Sequence, residues 1–432
     1  MTEAERLLPH VTCLGCGCAC DDIHLTVRDN RIVEARNACE LGAAWFDGGR
    51  VPWRVLAGGR EAPMSEAIEA VAAMLTRASR PVVYLAPELT CEAQRAGVAL
   101  ADRLRAGVDS VTSATAIDSL LAAQERGRAA ATLGEIRNRA DLLVWWGVDP
   151  RLRYPRYASR YAPEPAGVHV PDGRRSRTVV AVDVGDARGP QDADHRFALS
   201  AHAEIDMLTA LRAAVVDGQS GGVALAQAAG SLAALFRAAR YAVIVADVEP
   251  AGEVRRGIDR TGALIEVAQA FNGPTRCALS LLRAGGNRSG ADAVLTWQTG
   301  YPAAVDFARG YPRYRPHDGG LDARLSRHEV DAVLVLGAAA LVPERVTRML
   351  AGVSVAAIGP RVSESAFARA VAAIDTGVAG IHEGGMALRM DDVPLPLRPS
   401  LDAPIDTLSI ARALSERIVT QQGLVGRDQS PS

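Results

Sequence analysis

Five of the seven cysteines in this 432-residue chain fall between Cys13 and Cys39, a density that points to ligands rather than scattered core thiols. Cys13, Cys16 and Cys20 follow C-x2-C-x3-C, and Cys39 comes nineteen positions after Cys20. Four thiolates brought together suit either a tetrahedral zinc ion or a [4Fe-4S] cluster, and spacing by itself does not separate the two. Gly15 and Gly17 let the loop turn tightly enough to aim backbone amides at sulfur. Cys18 reads as a small buried residue outside the ligand set, and Cys91 and Cys277 as structural thiols at a helix start and in a strand. A disulfide framework is the weaker reading, because MTEAERLLPH lacks the apolar stretch of an export signal.

Something must fold Cys39 back onto the first three. IHLTVRD and RIVEARN alternate with period 2 on either side of Asn30, which predicts a β-hairpin turning at Asp29-Asn30. A Gly/Pro-rich connector, 48–63, then leads to SEAIEAVAAMLTRA, an amphipathic helix with Ser65 as its expected N-cap. Apolar strands follow at 81–86, 141–147, 178–184, 241–246, 331–337 and 353–359, with helices such as HAEIDMLTALRAAVVDG and EVRRGIDRTGALIEVAQAF between them. Continuous apolar strands alternating with helices predict an α/β fold: a small cysteine-rich β module plus doubly wound parallel sheets, two of them by strand number. The expected divisions are 1–62 for the module, 63–200 and 201–375 for the α/β domains, and 376–432 for a C-terminal return segment and frayed tail.

Lys plus Arg number 48 against 50 Asp plus Glu, a net charge of -2, so no global charge favours nucleic acid. No apolar run approaches the ~18 residues of a membrane span, and a cytoplasmic protein is expected. Two segments, 151–165 and 299–316, break the alternation with arginine, tyrosine and proline. They suit a docking surface for a protein or an anionic cofactor, or an ordered loop whose arginines stack on tyrosines. His24 reads as an ordinary strand histidine. His382 and Glu383 are neighbours that a strand would point to opposite faces, so they read as structural rather than catalytic. GGNRSG lacks the lysine of a phosphate-binding loop.

CLGCGCACDDI, NACELG, TCEAQRAGVALADRL, GEIRNRADLLVWWGVDP, TWQTGYPAAVDFARGYPRY and EGGMALRMDDVPLPLR together resemble the B-type subunit of formylmethanofuran dehydrogenase, in the molybdopterin oxidoreductase superfamily. The resemblance covers nearly the whole chain. It implies a molybdopterin-oxidoreductase-like fold, a [4Fe-4S] cluster on Cys13, Cys16, Cys20 and Cys39, and a tungsten or molybdenum bis-pterin that reduces carbon dioxide to formate. The chain departs from that pattern where it matters most. The family's metal-binding cysteine and its histidine neighbour fall on Ala116 and Ile117, which neither ligate a metal nor move a proton. Asp149 replaces an asparagine of one pterin-phosphate loop, Gly185, Asp186 and Ala187 replace the arginine and threonines of another, and Tyr154 and Tyr157 stand where histidines are expected.

The departures imply no catalytic residues and no bis-pterin in this chain. Such a silenced shell resembles the B-type subunit of the bacterial formyltransferase/hydrolase complex of methylotrophs, which passes a formyl group from tetrahydromethanopterin to a methanofuran-type carrier and hydrolyses it to formate. The expected partners are the hydrolase, formyltransferase and scaffold subunits, with no nucleic acid and no membrane. At the cysteines, a [4Fe-4S] cluster, zinc and an empty site all remain open. The alternative is an active tungsten or molybdenum dehydrogenase subunit.

Overall fold

The computed structural model describes residues 5–217, 224–249 and 257–428. Its first element is a three-stranded antiparallel sheet of β1 (Arg6–Val11), β2 (Ile23–Arg28) and β3 (Arg31–Arg36). The expected hairpin is β2–β3, with Asp29 and Asn30 both left-handed (φ 49° and 52°), as a two-residue turn of this hand requires. Cys39 then caps the helix Glu40–Asp47, its carbonyl accepting the Ala43 amide at 2.8 Å.

Two larger sheets follow. One is mixed and nine-stranded: β4 (Val55–Ala57), β5 (Arg60–Glu61), β6 (Pro81–Leu85), β7 (Gly107–Ser110), β13 (Val305–Asp306), β14 (Arg313–Tyr314), β15 (Ala332–Leu336), β16 (Ser354–Gly359) and β17 (Ala372–Asp375). The other is wholly parallel, in the order β10-β9-β8-β11-β12: β8 (Leu142–Trp146), β9 (Thr178–Val184), β10 (His195–Leu199), β11 (Ala242–Asp247) and β12 (Cys277–Leu282). A small hairpin, β18 (Gly385–Leu388) with β19 (Pro394–Leu397), closes over the module. The α/β architecture expected from the strand pattern is therefore present.

Sheet membership does not follow the expected division at residue 200. β6 and β7 pair with strands beyond residue 300, and β8 to β12 form a unit inserted between them. Two smaller details also differ. The helix Met64–Arg77 starts after an extended Pro63, so Ser65 lies in its first turn and does not cap it, and the C-terminal helix Thr407–Asp428 continues into the expected frayed tail. In EVRRGIDRTGALIEVAQAF the helix is Ile258–Phe271, and residues 253–256 fall outside the described part, as do 1–4 and 429–432.

Period-2 alternation in β8 positions the site. Leu142, Val144 and Trp146 pack towards Leu208, Leu211 and Phe271, whereas Leu143 and Trp145 pack towards the module, with Cys18, Ile23, Leu25 and Tyr157. The cysteine loop thus shares a core with one face of the five-stranded sheet. It also meets the chain leaving β12: the Gly286 amide donates to Leu14 O at 2.9 Å, and a Cβ at Gly285 would lie 2.3 Å from the same oxygen.

Candidate functional site

The cysteine loop folds on itself through the Cys13 amide to Cys20 O (2.9 Å) and the Ala19 amide to Cys16 O (3.1 Å). The Gly15 amide donates to Cys13 Sγ at 3.4 Å, the contact expected of Gly15. A Cβ on Gly42 would sit 3.3 Å from Cys13 Sγ and 3.9 Å from Cys39 Sγ, so two of the four expected sulfurs flank one bare glycine. Cys16, Cys20 and Cys39 each act electrostatically on Cys13, which puts the other three in the neighbourhood of that thiol. Cys18, fully buried, hydrogen-bonds to Cys16.

Charges around these sulfurs are uneven. The bond from Cys18, with Arg156 and nearby amides, holds the Cys16 thiol below its ordinary value despite its burial. Burial pushes Cys20 up to about 11 and Cys13 higher still. Neutral thiols crowded in an apolar pocket deprotonate when a bound cation or cluster supplies compensating charge. The donor set, the amide on sulfur and the bare Gly42 suit a thiolate-held metal group. Among the described residues, no three His, Cys, Asp or Glu side chains already converge on a single-ion site.

The arginine- and tyrosine-rich segment 151–165 clamps this loop. Arg156 grips Asp22 with both terminal nitrogens (2.6 and 2.7 Å), and Arg160 bridges Asp21 and Asp22. Tyr154, Tyr157 and Tyr161 are buried behind it, with the Arg160 guanidinium 5.4 Å from the Tyr161 ring centre. Arginines stacked on tyrosines were one of the readings open from sequence. The pairing with Asp21 and Asp22 was missed, and the two aspartates directly after Cys20 were its only signal.

Ala116 stands between the short helix Thr112–Thr115 and the helix Ile117–Arg126, 4% exposed. Two cavities meet there. The larger, about 590 Å³, includes Arg128, Leu281, Arg283, Asp292, Trp297 and Met390 in its wall; the smaller also touches Ile117 and Arg260. Among the described residues neither is lined by cysteine or histidine. Cys91 begins its helix within 3.6 Å of Asn287 Nδ2, and Cys277 lies in the core of the five-stranded sheet. Behind Ala116 runs an ion network not foreseen from sequence. Arg283 bonds to Asp292 and to Thr112 Oγ1 (2.9 Å), Thr112 Oγ1 donates to Asp292 Oδ1 (2.5 Å), and Glu249 meets Arg288 at 3.2 Å.

A third cavity, about 740 Å³, opens at the carboxyl ends of β8, β9 and β11 and includes Gly147, Asp149, Asp186, Arg188 and Asp247 in its wall. In a 3-2-1-4-5 sheet this is the switch point, where phosphates of a cofactor ordinarily sit. Here the Asp149 carboxylate already accepts the Arg151 amide (2.9 Å) at the start of the helix Pro150–Arg153, occupying the place of an anion. Asp186 and Asp247 also line the cavity, as do Arg151, Arg153 and Arg188, with Asp247 paired to Arg153.

His382 lies in a turn rather than on the expected strand, and Glu383 follows it in an isolated bridge. His382 Nδ1 accepts the Val378 amide (3.1 Å), while Glu383 holds the Thr407 amide and hydroxyl (2.8 and 2.9 Å) at the start of the C-terminal helix. Burial, then Arg361, depresses His382 from 6.5 to about 4. The folded state therefore resists a proton that the unfolded chain takes up, and stability falls as pH drops from about 6.5 towards 4. Burial raises Glu383 from 4.5 to about 7, which weakens the fold in the opposite direction, as pH rises through that range. Between pH 7 and pH 5, His382→Gln should gain about 2 kcal/mol relative to the parent chain in urea unfolding. A pH-independent difference would contradict the depressed imidazole.

Two large α/β sheets packed with a small cysteine-rich antiparallel module define a mixed α/β architecture. No protein-family model matches the chain. It is 32% identical over 422 residues to the B-type subunit of a tungsten-containing formylmethanofuran dehydrogenase 2 from Methanocaldococcus jannaschii, covering 92% of this chain and 95% of that one. The Methanococcus maripaludis counterpart is 31% identical over 434 residues, covering 95% and 97%. The chain therefore belongs to the family of formylmethanofuran dehydrogenase B-type subunits. The B-type subunit of a formyltransferase/hydrolase complex from Methylorubrum extorquens is 29% identical over 348 residues, covering 79% of this chain and 87% of that one. In structure, the chain is similar to a chain of the crystallised formyltransferase/hydrolase complex of Methylorubrum extorquens in complex with methylofuran, with a TM-score of 0.70 at 24% identity, covering 85% and 99%. That likeness shows the same fold. Among the described residues no helix is long and apolar enough to cross a membrane.

Proposed function

We propose that this chain is the non-redox, structural B-type subunit of a cytoplasmic complex that transfers a formyl group from tetrahydromethanopterin to a methanofuran-type carrier and hydrolyses it to formate. One observation carries the reading: both cavities meeting at Ala116 lack cysteine and histidine walls among the described residues, so a tungsten or molybdenum ion would find no soft protein ligand there. The Asp149 cap supports it, because that carboxylate opposes a pterin pyrophosphate. Transfer and hydrolysis then belong to the partner hydrolase and formyltransferase subunits, with this chain and a scaffold subunit holding them in place. Cys13, Cys16, Cys20 and Cys39 would hold a [4Fe-4S] cluster, with zinc or an empty site as the alternatives.

The second reading, an active tungsten dehydrogenase subunit reducing carbon dioxide, is favoured by the higher identity to tungsten-containing relatives. Elemental analysis of the natively purified complex decides between them. The expected result is no tungsten or molybdenum, with iron at about four per chain, the content of a [4Fe-4S] cluster. About one tungsten or molybdenum per chain would overturn the non-redox reading, and about one zinc per chain would replace the cluster while leaving that reading intact.

A further inference from the structure

The wall of the larger cavity beside Ala116 holds two arginines, Arg128 and Arg283, and two carboxylates, Asp292 and Asp392. Arg128 lies in its wall with its side chain 24% exposed, and its nearest carboxylate, Asp392, is 3.6 Å away, beyond hydrogen-bonding distance. Arg283 lines the same cavity. Two of its nitrogens are engaged by Asp292 and Thr112, while its Nε is buried with no hydrogen-bond partner. Asp292 cannot serve Arg128, because its two oxygens are taken by Thr112 and Arg283. Burial makes the Arg128 charge costly, Asp392 offsets that in part and Arg283 adds to it, so an added negative charge would relieve Arg128.

The remaining wall is mixed, with Ser119, Ser289 and Thr296 beside an apolar stretch of Leu281, Leu388 and Met390 and with Trp297 56% exposed. At about 590 Å³ the space falls within the range of small-molecule sites and is far larger than an inorganic ion needs. We propose that this cavity binds an organic anion, a carboxylate carried on an apolar or aromatic body, with Arg128 as the principal clamp and Arg283 behind it. A planar guanidinium matches a carboxylate with two parallel N–H donors, and the apolar stretch takes the rest of the molecule. The proposal rests on the preceding reading only in needing a cavity free of pterin. Metal content measured on the same sample therefore tells the two failures apart.

The test is calorimetric titration of the natively purified complex with benzoate, benzamide and inorganic phosphate. Benzoate should bind saturably, and both its neutral isostere benzamide and free phosphate should bind at least about tenfold more weakly, the scale of one charge-assisted contact. Arg128→Gln should weaken benzoate about tenfold without weakening benzamide. Asp392→Asn removes the nearest competing carboxylate and should tighten benzoate. Equal binding of benzoate and benzamide, stronger binding of phosphate, an unchanged Arg128→Gln, or no saturation by about 10 mM benzoate in a tungsten- and molybdenum-free sample would overturn the proposal.

Discussion

Asp292→Ala should destabilise the chain by about 3–5 kcal/mol, the cost of stranding a buried charge. Arg283 has a side chain only 9% exposed, and its bond to Asp292 is its one close ionic contact; Glu249 is 3.8 Å from its Nε. Removing the Asp292 carboxylate also frees the Thr112 hydroxyl that donates to it. Asp292→Asn keeps an acceptor for that hydroxyl while losing the charge, so a smaller loss is expected. Arg283→Met combined with Asp292→Leu removes both charges and should recover most of the stability, since an apolar pair of similar volume is often neutral. Urea unfolding of the three variants reads the effect. A loss below about 1 kcal/mol for Asp292→Ala would mean that solvent or Glu249 compensates Arg283, and that the network is not a structural lock.

Gly17→Ala carries the second large effect. A Cβ there would lie 1.9 Å from the Arg283 carbonyl oxygen and 3.1 Å from Met390 Sδ. The first obstacle is backbone at the end of β12, which cannot swing aside as a side chain can. The cysteine loop must lift instead, breaking the Met390 amide bond to Gly17 O (3.1 Å) and shifting Cys16 and Cys18 on either side. A loss of about 3 kcal/mol is expected, at the upper end for overpacking, together with a fall in bound metal per chain. Gly352→Ala is the control, because its added methyl meets nothing within 4 Å and should change stability by less than about 0.5 kcal/mol. Should Gly17→Ala match that control in stability and metal content, the loop is not held against β12 as described.

Both effects fall on contacts that differ in how far sequence revealed them. Gly17 is visible in CLGCGC as a residue that frees the loop, yet its contact with Arg283, 266 positions away, is not. Asp292 sits in an ordinary amphipathic helix, Arg288–Thr299, and nothing in its neighbourhood marks it as the partner of a buried arginine.

The sequence by itself determined the hairpin and its turn and the apolar, alternating strands. Each of these rests on neighbours one to four residues apart, and such terms are fixed before the chain closes on itself. Only the tertiary structure decided that β7 pairs with β13 across nearly two hundred residues, with the five-stranded unit inserted between them. It also decided that Arg156 and Arg160 clamp Asp21 and Asp22, and that Arg128 and Asp392, 3.6 Å apart, line one cavity. The physical reason is that alternation specifies which face of a strand is buried but not which strand lies beside it. Charged side chains, moreover, choose partners by distance and desolvation, quantities that exist only once remote segments have been brought together.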